Sequence, residues 1–500
     1  MAYHLQIASR RDLKRLCEVC TRLHNIAIPH LYRSLVVSAP ELSLENLVAT
    51  LETMPRKYLK YTSEFGFSVP IHERVEARCV HHGANGHFQD DAVQDELADF
   101  LLNDESVEYA FMDGEDIDEG MEKVGKRTCF YHPIFESTMI DKLVQGHLVD
   151  PFADFSFALG FLKLPDDQLR SFRLVTHFLS WAIHLRDCRW EVGTCIPEAI
   201  FCGNNSFLGN QSRVQSITLI TGGECGANQN AQSLVNLVQF RELQSLDWKG
   251  LNRYNDFESI RECISFHGHQ IQSLTLDLLS WTRAEKIWAD GFRQQSAQLV
   301  SVPDNFFSQK VLNIHPGDRK VIFPSLGNLY LSAVSFDYTD MEMAHAFNIE
   351  HLKSLKLRNC PGSLDWLRRL LNSGKPMKLK SLELGLDLSS LQKDAYMHIT
   401  ETICHFLHHV PDLRSLYLML PEPIDWTALT DRLSGHRHLT RVVMHHLVDR
   451  GGQNLIDGDI PWPLHLEHIL QEKQLTCFGS SIPPRNLVCA DRQSCNLYDF

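Results

Sequence analysis

A six-residue phrase recurs along the chain, and its spacing limits the folds that the chain can adopt. The phrase is apolar-x-Ser-apolar-x-apolar, as in LKSLKL at residues 352–357. With small variations it begins at residues 214, 243, 271, 326, 352, 379, 413 and 439, and most successive copies start 26 to 29 residues apart. A steady period of this length indicates a repeat architecture, in which stacked units bury one continuous core. The gap of 55 residues before Leu326 predicts a further, divergent copy between Leu276 and Leu326.

Within each copy the polarity alternates as it does in a half-buried strand. Positions 4 and 6 are apolar and are predicted to face the core, whereas positions 3 and 5 are predicted to point outward on the concave side. Helix-like stretches lie between the copies. In SLDWLRRLLNSG, residues 363–374, a helix is predicted to start at a Ser363 cap and to end at Gly374. The predicted fold class is therefore α/β: an irregular solenoid with parallel strands on its concave side and helices outside.

At residues 352–360 the pattern extends to L-x-x-L-x-L-x-x-C, which ends at Cys360. This resembles the leucine-rich repeat, in which Asn or Cys at this point closes the strand and turns the backbone into the core. The resemblance covers about residues 200–450. It implies a leucine-rich-repeat-like solenoid.

Side chains at position 5 vary between copies, whereas the scaffold around them is regular. This contrast is how a solenoid presents a binding surface, although any single side chain there has the simpler alternative of being solvated. Basic side chains at Lys353, Lys356, Arg358, Lys380 and Arg414 would suit an acidic partner or the chain's own acidic segment. The residues predicted to contact a protein partner are Asp247, Thr275, Tyr330, Lys356, Arg358, Glu383 and Tyr417.

The N-terminal residues follow a different pattern. Ser9 and Asp12 form a predicted capping box. Apolar residues then mark one helical face, Pro29 is predicted to end the helix, and residues 31–37 are predicted to form a strand. The residues of that helical face are Leu13, Leu16, Cys20, Leu23 and Ala27.

This stretch resembles the second half of an F-box, as found in fungal F-box proteins with leucine-rich-repeat-like tails. The family implies docking on the Skp adaptor of a cullin ubiquitin ligase, with the tail selecting the substrate. By this resemblance, Leu13, Leu16, Val19 and Cys20 would contact the adaptor or pack the helix. An F-box usually opens with a Leu-Pro and an earlier first helix, which the chain does not match, so we expect a truncated motif with reduced adaptor affinity. The matching residues are Asp12, Leu13, Val19, Cys20, Arg22, Leu23 and Ala27, followed by PHLYRSL.

The overall charge and hydropathy argue against two classes of partner. Lys and Arg total 48 against 62 Asp and Glu, a formal charge of −14, which disfavours a general nucleic-acid binder. No apolar run approaches the length of a membrane span, and the N-terminus lacks the apolar region of a secretory signal. We therefore predict a cytoplasmic or nuclear protein whose cysteines are reduced and mostly buried.

Two segments are predicted to be insertions. Residues 79–122 contain fourteen Asp and Glu and no Lys or Arg, which is typical of a solvated segment; its DGEDIDEG lacks the order of an EF-hand loop. Residues 174–188 separate an LRSF element from a W-x-x-GTC element, and these two elements nearly adjoin in the resembled family. An unspliced intron is one origin for residues 174–188.

The chain as a whole is predicted to have four segments. They are a partial F-box at 1–38, divergent early repeats at 39–200, the solenoid at 201–450 and a C-terminal cap or tail at 451–500.

Motifs for catalysis are missing from the sequence. There is no P-loop, no H-E-x-x-H and no G-x-S-x-G. The Cys17-x-x-Cys20 pair has no second pair to complete a zinc site, and clusters such as HFLHH at 405–409 lack matching ligands. We therefore predict no enzyme activity, no cofactor and no metal.

Two functional hypotheses follow, with a metal-dependent hydrolase as a distant third. The first is a non-catalytic substrate-recognition subunit of a Skp-cullin-F-box ubiquitin ligase, which binds a protein substrate through the concave repeat face. The second is a leucine-rich-repeat interaction scaffold with a degenerate F-box. Only residues 1–38 separate the two.

Overall fold

The computed structural model describes fourteen stretches of the chain. Its described residues fall into two compact units. The first comprises the described residues up to Asn313 together with Ile322–Ser325. The second comprises Ile314–Val321 and the described residues from Leu326 onward. The predicted acidic insertion at 79–122 lies outside the described residues. The described ranges are 10–38, 56–68, 182–191, 196, 208–221, 235–251, 254–277, 306–315, 317–336, 341–386, 398–421, 424–449, 454–456 and 475–480.

The described part of the first unit begins with two helices and continues into parallel strands. Each strand pairs in parallel with the next along the chain, from β1 to β6. Among the described residues, an α-helix lies between β1 and β2 and another between β5 and β6. The elements are α1 (Arg10–Val19), α2 (Thr21–Leu31), β1 (Ser34–Ser38), α3 (Arg56–Leu59), β2 (Glu64–Ser68), β3 (Asp187–Glu191), a 3-10 turn (Leu208–Asn210), β4 (Ser216–Ile220), β5 (Ser245–Lys249), α4 (Tyr254–His267), β6 (Ser273–Asp277) and a π-helical turn (Phe306–Val311).

The second unit alternates strands and helices more regularly. Strands β7 to β11 pair in parallel in chain order, and β13 adds to β11 in the same direction, whereas the short β12 is antiparallel to the end of β11. The predicted α/β class with parallel strands is confirmed. The elements are β7 (Asn328–Ser332), α5 (Met341–Ala346), β8 (Ser354–Arg358), α6 (Ser363–Asn372), β9 (Ser381–Gly385), α7 (Ile399–His408), β10 (Ser415–Pro421), α8 (Trp426–Ser434), β11 (Arg441–Asp449), β12 (Asn454–Ile456) and β13 (Cys477–Ser480).

One hydrogen-bond pattern recurs where the strands begin. The backbone carbonyl at position 2 accepts from two successive N–H groups of the next strand; the Lys353 carbonyl accepts from Lys380 at 2.7 Å and Ser381 at 3.0 Å. Because this bond is repeated, the copies of the phrase stack in register, residue for residue, an arrangement compatible with a solenoid. The same double acceptor occurs at Arg33, Ser63, Arg186, Gln215, Gln244, Gly327, Lys380, Arg414 and Thr440.

The repeated bond also identifies copies that the sequence pattern missed. LRDCRW at 185–190 forms β3, with Asp in place of Ser at position 3. Ala182, Leu185 and Cys188 are buried in the core. The insertion at 174–188 stays a prediction: its last two residues, Asp187 and Cys188, belong to β3, whereas Phe178 and Trp181 lie outside the described residues.

Parallel strands also lie on either side of the solenoid predicted at 201–450, and those before it fall within the predicted segments 1–38 and 39–200. Strands β1 and β2 precede it, and β13 continues it with the same double acceptor at Thr440. Between β6 and β7, the described residues 306–315 and 317–325 form the π-helical turn and loops. The predicted divergent copy has no strand in that part of the connection, and residues 278–305 lie outside the described residues.

Positions 4 and 6 face the core in β8, as predicted, and position 1, which was not predicted, does so too. In β8, Leu352, Leu355 and Leu357 are all buried. The helix that follows runs over Ser363–Asn372, but its cap residue is Gly362, and Ser363 is instead a buried first residue. The predicted end at Gly374 is confirmed, because this residue has a φ of 65°, a conformation that costs glycine little.

Cys360 lies two residues beyond the end of β8. Its buried thiol donates to the carbonyl of Leu331 at 3.4 Å and to that of Arg358 at 3.2 Å. The side chain therefore satisfies the carbonyls at the ends of two neighbouring strands. No helix among the described residues is long and apolar enough to span a bilayer.

Candidate functional site

Two surfaces carry the residues that the sequence predicts to be functional, and the first is the N-terminal helical hairpin. The sequence predicts one helix through Cys20, but the backbone of Cys20 is extended and separates α1 from α2. Its thiol accepts a hydrogen bond from the Leu23 N–H at 3.5 Å, so Cys20 caps α2. Pro29 does not end the helix as predicted, because α2 continues to Leu31.

The hairpin divides the four predicted adaptor residues into two pairs. Leu13 is buried and Leu16 is half-buried, so these two pack within the protein. Val19 is 67% exposed and Cys20 is also exposed, so these two form an accessible apolar end of α1. Ile26 on α2 is exposed as well and was not predicted. The prediction of one continuous helix could not identify Ile26 as exposed, because the chain breaks at Cys20 and α2 no longer continues the faces of α1.

His24 connects the hairpin to the first repeat. One ring nitrogen lies 3.3 Å from the Cys17 carbonyl, and the other lies 3.3 Å from the hydroxyl of Tyr58, which belongs to α3. The ring of Tyr58 also packs on that of Tyr32, with centroids 4.9 Å apart. The hairpin is thereby held against the connection between β1 and β2.

The second surface is the row of side chains at positions 5 and 7 of the strands. In the second unit, the Lys356 ammonium lies 3.3 Å from the Glu383 carboxylate and 4.7 Å from the centre of the Tyr330 ring. Arg358 lies two residues along β8 from Lys356, and Tyr417 is aligned with Glu383 on the next strand. The structure thus brings five of the predicted partner residues together.

These side chains are less accessible than the sequence predicts. Lys356 is 8% exposed, Glu383 is 2% and Tyr417 is 7%, whereas position 5 was predicted to be outward and solvated. The cause is the spacing of the strands, because neighbouring strands lie about 4.8 Å apart and long side chains in register cover one another. Tyr330 remains half-exposed.

The corresponding row of the first unit is acidic. Asp247 on β5 pairs with Lys249 on the same strand at 3.6 Å, and Thr275 is aligned with Asp247 on β6. Burial is the main cause that raises the pKa of Asp247. Lys249 opposes this rise, whereas Glu191 and Asp277 add to it. Lys249, Glu191 and Asp277 are buried and were missed, since they occupy position 7, just beyond the six-residue phrase.

At the start of that row, Arg189 pairs with Glu64 at 2.6 Å. The residue beside Arg189 on β2 is Gly66, and a Cβ atom there would lie 2.6 Å from the Arg189 Cβ. Glycine is therefore required at position 5 of β2, where it leaves room for the arginine. Neither Arg189 nor Glu64 was predicted.

His445, at position 7 of β11, gives the second row a pH dependence. Its ring packs against that of Tyr417 with centroids 5.4 Å apart, and burial lowers its pKa from 6.5 to about 4. Between these pH values the unfolded chain binds a proton that the folded chain does not. We expect the free energy of unfolding to fall as the pH is lowered from 6.5 towards 4, measured by urea titration at each pH.

The His445→Gln variant should lose part of this slope, because glutamine does not titrate. His438 lies in an exposed turn of the same unit, so His438→Gln is the matched control and should keep the slope of the original chain. Equal slopes in all three proteins would contradict the assignment to His445.

Among the described residues, no group of three or more His, Cys, Asp or Glu is placed to hold a metal ion. Burial raises the pKa of the Cys188 and Cys263 thiols to about 12, so both are protonated at neutral pH and are poor nucleophiles. The histidines His405, His408 and His409 are exposed at the end of α7.

Comparison with known proteins adds no family to these observations. Neither the protein-family models nor the curated proteins that were compared with the chain gave a match. The two surfaces therefore have to be interpreted from their own residues.

Proposed function

We propose that the protein is a non-catalytic substrate-recognition subunit of a Skp-cullin-F-box type ubiquitin ligase. In this proposal the hairpin α1–α2 contacts the Skp-type adaptor, and the repeats bind a protein substrate. The observation that carries the proposal is the exposed apolar turn between α1 and α2, Val19 with Cys20, on a hairpin that directly precedes strand β1. A binding element joined without a linker to a repeat array would hold the partner of the array in a defined position.

The test is a titration of the full chain against a Skp-type adaptor, by calorimetry. We expect Val19→Asp to weaken binding about tenfold or more, because burying a Val side chain contributes roughly 1.5–3 kcal/mol. Val19 is largely exposed, so the charge should not unfold the hairpin.

The matched control is Ile183→Asp, which places the same charge on another exposed apolar residue of the first unit. Ile183 is 59% exposed and lies in the turn before β3. Its adaptor affinity should equal that of the original chain. An equal loss in the two variants would contradict a contact at Val19.

A second candidate function is an interaction scaffold whose F-box-like hairpin no longer engages a ligase. It is favoured by the burial of Leu13 and the partial burial of Leu16, since apolar area used to pack the hairpin does not contribute to an adaptor contact. The same titration separates the two functions. A chain that binds its substrate but shows no adaptor binding is a scaffold.

A further inference from the structure

A row of cations lies along the edge at which strands β8, β9 and β10 begin. Lys353, Lys380 and Arg414 occupy position 2 of three successive copies. Their backbones are joined directly, with the Lys380 N–H donating to the Lys353 carbonyl at 2.7 Å and the Arg414 N–H to the Lys380 carbonyl at 2.8 Å. Because adjacent strands are about 4.8 Å apart, three positive charges are held side by side. We call these three residues the basic ladder.

The side chains of the basic ladder are exposed, and no carboxylate among the described residues forms an ion pair with any of them. The loops that lead into the three strands add the exposed cations Lys375 and Lys378, against only Glu350 and Asp412. Like charges on neighbouring strands repel one another and destabilise a sheet. Packing within the repeats therefore does not account for the basic ladder.

The first unit shows that position 2 does not require a cation. Three successive copies there carry Gln215, Gln244 and Gln272, and the backbone carbonyls of Gln215 and Gln244 are the same double acceptors. The Gln272 amide donates to the Gln244 side-chain oxygen at 3.3 Å, so two neutral side chains bond to each other at this position. The positive charge in the second unit is thus an added feature of an otherwise identical structural position.

We propose that the basic ladder binds an acidic segment of a partner protein. The inference rests on the partner-binding role proposed for the repeats and does not depend on the adaptor contact. An extended peptide presents every second side chain on one side, about 6.6–6.8 Å apart, within reach of long cationic side chains on neighbouring strands. A nucleic acid fits less well, because the formal charge of −14 on the whole chain opposes the approach of a polyanion.

The test is fluorescence anisotropy with the full chain and a labelled peptide of alternating Glu and Ser, about twelve residues long. The ladder variant is Lys353→Gln/Lys380→Gln/Arg414→Gln, which installs the residue that the first unit carries at the same position. Exposed ion pairs contribute about 0.2–1 kcal/mol each, so the variant should bind about tenfold more weakly. Binding by the original chain should weaken as salt is added, and a Gln-Ser peptide should not bind.

The matched control is Arg319→Gln/Lys320→Gln/Arg437→Gln, three exposed cations of the same unit. It has the same net charge as the ladder variant and should bind the acidic peptide as the original chain does. An equal loss in both variants would overturn the proposal, since net charge alone would then explain binding. The proposal would also be overturned if a single-stranded DNA of the same charge bound as tightly as the peptide and lost this binding in the ladder variant.

Two further outcomes are decisive. If the original chain binds the peptide only after the Asp and Glu of 79–122 are changed to Asn and Gln, the ladder serves the chain's own acidic segment, and the partner proposal is wrong. Adaptor affinity is measured on the same ladder variant and should not change. If the ladder variant loses peptide binding but still binds the adaptor, the effect is assigned to the basic ladder. If the original chain binds the peptide but not the adaptor, the ligase proposal is rejected and the ladder proposal stands.

Discussion

Replacing Lys356 by alanine is expected to destabilise the protein as strongly as a change in the apolar core. Lys356 is 8% exposed and Glu383, its partner at 3.3 Å, is 2% exposed. Removing one member of a buried ion pair leaves the other charge without that compensation in a poorly solvated place, which costs about 3–5 kcal/mol. Leu355→Ala, which opens a cavity one residue away, should cost about 2–5 kcal/mol. Urea unfolding of both variants measures the two losses.

The control for this prediction replaces both partners. Lys356→Met/Glu383→Leu exchanges the pair for apolar side chains of similar size, and such exchanges are often close to neutral. We expect the double variant to regain most of the stability lost in Lys356→Ala. A free energy of unfolding for Lys356→Ala within about 0.5 kcal/mol of the original chain would show that this side chain is solvated, as the alternation of the strand alone predicts.

Trp366→Ala is expected to cause a loss of similar size for a different reason. The side chain is fully buried on α6, with the ring of Phe336 centred 4.9 Å away and that of Phe347 5.8 Å away. Its indole N–H donates to the Met343 carbonyl at 3.4 Å. Truncating a buried Trp to Ala costs about 3–5 kcal/mol, because the cavity collapses only in part. Urea unfolding measures this loss.

Arg368→Ala provides a control on the same helix. Its side chain is 44% exposed and pairs with Asp365 one turn earlier, at 3.2 Å. An exposed pair of this kind contributes about 0–1 kcal/mol, so the variant should unfold at nearly the original urea concentration. Similar losses for the two variants would mean that α6 does not pack with its tryptophan face inward.

The period of the phrase was sufficient to predict which residues form the core. Position 4 and position 6 are apolar in copy after copy, and in a strand they must share a face, so Leu355 and Leu357 are buried together. The helix ending at Gly374 was also predictable, because a leucine face and a terminal glycine are local signals. These features depend on residues that are close together in the chain.

Copies with unusual residues were not predictable in the same way. LRDCRW at 185–190 has Asp and Cys where the phrase has Ser and Leu, and its identity as β3 depends on pairing with β2 and β4. Residues 174–188 were predicted to be an insertion on the family resemblance, and the last two of them, Asp187 and Cys188, lie in β3. The strand is identified only when the Arg186 carbonyl is seen to accept the same pair of hydrogen bonds as its counterparts in the other copies.

For the two candidate surfaces, too, some features followed from the sequence and others only from the tertiary structure. The sequence alone determined the repeat period, the apolar faces of its strands, the cations at position 2 and an apolar N-terminal segment. Only the tertiary structure decided that Lys356 and Glu383 are buried against each other, that Leu13 is covered while Val19 is exposed, and that the basic ladder is continuous. The physical reason is that burial and pairing depend on the neighbouring strand, which lies about thirty residues away in the chain but about 4.8 Å away in space.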